Sequence, residues 1–202
     1  SHHKIVIVGG YGWHDIGDEA MLHATLLKIR QTVPNDLEIV LLSSNPKYTQ
    51  EFHHERTIVD IDQMAPSPNS ARIVQLRCFA ATVCFMIGVI AQRAGFRLKL
   101  WSSARAVLDE LATADLLYCV GGGNLNSIIP QELYKKCSEF LAMHLLRKPV
   151  ILSGQTIGPF LGHIDAMYAR TALNTVKLIT LRDKGISRTR LNAIGVTKPS
   201  MI

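Results

Sequence analysis

The hydrophobic positions fall into short, solidly apolar runs set between stretches with helical spacing. Residues 4–8 (KIVIV), 38–42 (EIVLL), 116–120 (LLYCV), 150–152 and 178–181 read as strands, with 57–61 as a further one. Between them, residues 17–30 place Ala20, Met21, Ala24, Leu26, Leu27 and Ile29 at helical intervals, and 133–146 and 166–176 repeat the pattern. Runs that are apolar throughout predict strands covered on both faces. Strand and helix in repeated succession predict parallel strands with right-handed crossovers. The expected fold is a doubly wound, Rossmann-like α/β domain.

Ligands of such sheets bind beyond the carboxyl ends of the strands. Those ends carry Gly9-Gly10-Tyr11-Gly12 with Gly17-Asp18-Glu19, Gly121-Gly122-Gly123-Asn124, the run from Ser153 through Gly154, Gln155, Thr156, Ile157 and Gly158 to Pro159, and Arg182-Asp183. Four successive strand ends are expected to converge on one crevice, where glycines let a ligand approach backbone N–H groups.

The composition (48% hydrophobic and 19% charged over 202 residues) is that of a globular chain with one sizeable core. The formal charge is +6 and aromatics are sparse. No nucleic acid partner is expected; an anionic small molecule or an anionic membrane surface fits the charge better. Cys78, Cys84, Cys119 and Cys137 form no C-x-x-C pair, so no metal site is expected, and the three in apolar runs read as small hydrophobes. The absence of disulfide spacing and of a signal peptide points to the cytoplasm. Ser1, His2 and His3 read as a tag remnant, leaving residues 4–202 as the domain.

Residues 78–91 (CFAATVCFMIGVIA) lie within an apolar insertion near 73–100 and are followed by Arg93, Arg97 and Lys99. The run is short for a membrane span. It reads either as a buried helix packed on protein, or as a peripheral helix at the inner face of the plasma membrane with its basic flank on lipid. The preceding residues 65–70 (APSPNS) read as a loop or hinge.

The loop after the first strand is neither the dinucleotide fingerprint nor a Walker loop: it runs G-x-G-x-x-x-x-G, without G-K-[ST]. Asp18 fits a helix N-cap. Capping leaves Trp13, Asp15 and Glu19 in the same loop unexplained, and carboxylates beside an indole suit a sugar, with acids accepting from hydroxyls and the ring stacking on its apolar face. His14 is a candidate acid or base. His53 and His54, followed by Glu55, lack the spacing of a helical metal pair and read as a solvated face.

The four motifs together, in order and each at a strand end, resemble the polysaccharide pyruvyl transferase family over residues 4–196, whose first loop typically reads G-x-x-N-x-G-D-E. This chain departs from that pattern at His14, Asp15 and Thr156; Asp in place of Asn removes a donor and adds charge. The resemblance implies the N-terminal, acceptor-side half of a GT-B-like two-domain enzyme, with the C-terminal donor half beyond residue 202. Such an enzyme moves the enolpyruvyl group of phosphoenolpyruvate onto a glycan or lipid-linked sugar in envelope or exopolysaccharide synthesis, and needs no cofactor besides that donor. On this reading Asp18, Glu19 and His14 are the catalytic candidates. Gly10, Gly12, Trp13, Asp15, Gly17, Gly122, Gly123, Asn124, Gln155, Gly158 and Arg182 are the substrate-binding candidates. Arg182 would face the donor phosphate or pair with Asp183. This half alone is expected to be inactive. A GT-B glycosyltransferase half and a non-catalytic sugar-binding module are the alternatives.

Overall fold

The computed structural model describes residues 3–33, 36–61, 71–183, 185–198 and 200–201. Ser1 and His2 of the expected tag remnant, and the expected hinge at 65–70, lie outside these residues; His3 opens the first strand. In chain order the elements are β1 (His3–Val8), α1 (Ile16–Thr32), β2 (Leu37–Ser43), α2 (Pro46–His53), β3 (Arg56–Val59), α3 (Ala71–Arg93) and α4 (Ser102–Thr113). There follow β4 (Leu116–Cys119), β5 (Gly122–Leu125), α5 (Pro130–Leu145), β6 (Val150–Ile157), α6 (His163–Leu173), β7 (Leu178–Leu181), α7 (Ile186–Ala193) and β8 (Ser200–Met201).

The strands pair in the order β3-β2-β1-β4-β6-β7-β8, with β5 joined to β6 off that path, and every pairing is parallel. The order turns around between β1 and β4, and this switch point opens a crevice at the carboxyl edge. Solid apolar strands have the expected consequence: Val6, Val8, Val40 and Leu42 meet Leu108, Leu111 and Phe140 on one face. Ile7, Ile39 and Leu41 meet Leu22 and Leu26 of α1 on the other. The domain is α/β, doubly wound and Rossmann-like.

Three parts of the expectation need correction. The triple glycine is no open loop, because Gly122 and Gly123 lie in β5. A Cβ at Gly121 would stand 2.8 Å from the Gly154 carbonyl, so these glycines let two strands close on each other where the register of β6 shifts. Likewise residues 153–157, expected as a loop, continue β6. The apolar insertion is the helix α3. One face of it, with Cys78, Phe85 and Val89, is buried, and Thr82 Oγ1 lies 3.2 Å from Ser138 Oγ of α5. Its other face is exposed and includes Cys84, so that cysteine is no core hydrophobe.

Candidate active site at the carboxyl edge

The loop after β1 is held by three contacts. Asp15, not Asp18, is the N-cap of α1: its Oδ1 accepts from the N–H of Gly17 at 2.8 Å and of Asp18 at 3.3 Å. Asn caps as well as Asp, so the departure from the family pattern at this position leaves the cap intact. Gly12 has φ +88°, and a Cβ there would overlap the Asn45 amide nitrogen and press on Ser43 Oγ, so only glycine lets the loop lie against the end of β2. Glu19 is 4% exposed; Oε1 accepts from the Gly12 N–H at 3.1 Å and Oε2 lies 2.7 Å from His53 Nε2. Of the two histidines expected on a solvated face, His54 is exposed, but His53 is buried against Glu19.

Beside this loop lies a cavity of about 760 Å³. The β1 loop gives it Gly10, Trp13, Asp15 and Asp18; the ends of β2 and β3 give Ser44, Val59, Asp60 and Ile61; β5 gives Asn124. The start of α5 closes it with Ile129, Gln131, Glu132 and Lys135. Asp18 lies over the glycines: a Cβ on Gly10 would collide with the Asp18 carboxyl and the Asn124 amide, and one on Gly122 would touch both. Two strand ends thus meet at one carboxylate.

That carboxylate is perturbed. Burial and the neighbouring charges of Asp15 and Glu19 push Asp18 up to about 6, with Arg182 opposing and Glu132 adding to the rise. Lys135, 5% exposed, lies 2.7 Å from Asp60 Oδ2 and 2.6 Å from Glu132 Oε1. Burial works against its charge, but Asp60 and Glu132 more than offset this and raise its pKa. Asp60 also accepts from Ser44 Oγ at 3.1 Å. Four carboxylates face the cavity against one lysine that two of them already hold. Trp13 stands at the rim, 68% exposed.

The other candidates from the sequence lie elsewhere. Glu19 faces His53 and Gly12, which makes it a positioning residue for the loop rather than a cavity group. His14, at φ +59°, packs its ring 4.1 Å from that of Tyr48, on the outside of the loop. Gln155 is buried and donates to the Val120 carbonyl at 2.9 Å, joining strands rather than meeting a hydroxyl. Gly17 sits in the capped first turn of α1, and Gly123 is exposed with open space around it. Gly158 turns the chain toward Pro159, its N–H donating to Leu125 O at 2.7 Å. Arg182 is exposed at the end of β7, near enough to act on Asp18. Its expected partner Asp183 instead accepts from the N–H of Ser187 at 2.9 Å and from its hydroxyl.

Sequence reasoning missed Ser44, Asp60, Gln131, Glu132 and Lys135. The one local signal was the acid and lysine three apart at Glu132 and Lys135, which share a helix face. Nothing local marks Asp60, which reaches Lys135 across 75 positions of chain.

No curated protein matches the chain. Among solved structures, a similar one is a Listeria monocytogenes protein assigned as a UDP-N-acetylglucosamine 2-epimerase, at 14% identity and a TM-score of 0.49. The alignment covers 98% of this chain and 43% of that one, so the chain spans less than half the length of that structure, and a likeness this loose carries no argument about chemistry. The family model of the polysaccharide pyruvyl transferases matches residues 15–202, from the N-cap of α1 to the last residue. By that match, the chain belongs to the polysaccharide pyruvyl transferase family.

Proposed function

We propose that the cavity beside Asp18 binds the sugar acceptor of an enzyme that moves the enolpyruvyl group of phosphoenolpyruvate onto two hydroxyls of a glycan. The chain is then the acceptor side of a two-domain transferase. In the overall reaction the C2–O bond to phosphate breaks and C2 receives two sugar oxygens. The two hydroxyl protons leave with different partners: one ends on C3, which becomes a methyl group, and the other departs with phosphate.

The observation that carries this reading is the charge of the cavity. Asp15, Asp18, Asp60 and Glu132 suit a neutral polyol, whose hydroxyls donate to carboxylates, and the exposed Trp13 offers a flat face for the ring. A highly anionic donor is repelled by the same four groups. Its cations come from outside the cavity, with Arg182 at the same edge as this chain's contribution. Asp18 at about 6 is a stronger base than an ordinary carboxylate. It accepts a hydroxyl proton as the sugar oxygen attacks and returns it near neutral pH. Gly10 leaves the space in which its carboxyl lies.

The test is acceptor-dependent release of phosphate from phosphoenolpyruvate, with Asp18→Asn beside the unaltered enzyme. Release that needs a saccharide and is lost in Asp18→Asn is the expected result. Nucleotide-sugar turnover without such release sinks the proposal.

A further inference from the structure

The outer face of α3 is apolar along most of its length. Leu76, Phe79, Val83, Ile87 and Ile90 are exposed, the first at 68% and the last at 56%. They recur at three- and four-residue steps, so they form one stripe. Phe96, 69% exposed, and Leu98 extend the apolar surface beyond the helix.

Charge is distributed in the same region with a strong bias. Residues 71–108 hold six cations, Arg72, Arg77, Arg93, Arg97, Lys99 and Arg105, and no acid. The chain has 22 cations and 16 acids, so the remaining 16 of each cancel and this segment carries the entire formal charge of +6. Arg97 and Arg105 are bound to Asp109, at 3.0 and 2.6 Å. Arg77, Arg93 and Lys99 are exposed and make no ion pair with the described residues.

We propose that this face docks on an anionic lipid bilayer, with the apolar stripe in the interfacial layer and the unpaired cations on headgroups. The combination of exposed apolar side chains with cations that outnumber the one acid paired to them, Asp109, is that of an interfacial helix. A second copy of the chain is the poorer occupant, because a self-complementary contact sets the same cations against one another. The helix lies on the bilayer rather than crossing it. The window Leu76–Arg93, with mean hydropathy 1.4, is long and apolar enough to span, yet Cys78, Phe85 and Val89 are committed to the protein core.

The test is sedimentation of the chain with vesicles of equal parts phosphatidylcholine and phosphatidylglycerol, against phosphatidylcholine alone. Binding to the anionic vesicles that fades with salt is expected. Arg93→Gln with Lys99→Gln lowers it by about thirtyfold. The combined variant Phe79→Ser, Ile87→Ser, Ile90→Ser abolishes it with an unchanged melting temperature, since these side chains face outward. Cys84 is exposed while Cys78, Cys119 and Cys137 are buried, so a polarity-sensitive thiol dye reports the face directly, blue-shifting on anionic vesicles. A chain that stays in the supernatant, or that binds neutral vesicles equally, overturns the proposal. So does a triple variant that only turns a dimer into a monomer.

Discussion

Glu19 and His53, 34 positions apart in the chain, meet at 2.7 Å in the buried angle between α1 and α2. Nδ1 of that ring is buried and has no hydrogen-bond partner among the described residues, so the proton belongs on Nε2, where it is donated to Glu19. An unpaired ring acceptor costs less than an unpaired buried N–H. Because the other oxygen of Glu19 holds the Gly12 N–H, the pair fixes the β1 loop against α2. Glu19→Ala is expected to lower stability by about 2 kcal/mol, with both buried donors left unmet. Urea unfolding of the two chains checks this; a loss below about 0.5 kcal/mol would mean that the loop is held by other contacts.

Asp18 makes stability depend on pH in a definite direction. Its pKa rises from 3.8 to about 6 in the folded chain, so the folded state holds this proton more tightly than the unfolded one. The contribution of this group is fully present below about 4 and is lost as pH rises through about 6. Asp18→Asn removes the titration, so the variant melts higher than the unaltered chain near about pH 8 and gains nothing near about pH 4. Melting curves at the two pH values decide it, and an equal shift at both contradicts the account.

Lys135 is balanced by two acids, and removing it leaves Asp60 buried and Glu132 half-buried without their cation. Lys135→Met is expected to cost about 3 kcal/mol, the scale of breaking a buried ion pair from one side. Adding Asp60→Asn to that variant should recover part of the loss, because the uncompensated charge goes with it. A double-mutant cycle by chemical denaturation measures the coupling, and strict additivity would show that the 2.7 Å contact contributes nothing.

Trp13 separates binding from stability. It is mostly exposed, so Trp13→Ala should leave stability within about 0.5 kcal/mol. If the indole stacks on the acceptor, the affinity for an oligosaccharide falls by about tenfold in titration calorimetry. Unchanged affinity would remove Trp13 from the site.

The architecture, and the edge at which the candidate site lies, follow from the sequence itself. Val6 to Val8 and Ile39 to Leu42 are buried on both faces, and solid strands separated by helices leave few topologies open. Burial repeats locally, so it can be read locally. The β1 loop, with its glycines, acids and indole, was legible as a candidate site because these residues are neighbours in the chain.

The roles of the acids within it were decided only by the tertiary structure. Adjacent residues on a helix point about 100° apart, so Asp18 and Glu19 cannot face the same group. Where each points depends on the start of α1, and the cap at Asp15 rather than Asp18 sets that start. Asp18 consequently lies over Gly10 and Gly122, while Glu19 turns inward to a histidine from another helix. Asp60 and Lys135 enter the cavity from elements that are neighbours only after the sheet and α5 have assembled. Residue type and spacing carry the pattern of burial along the chain; the pairing of charges across it is set by packing, which no local window contains.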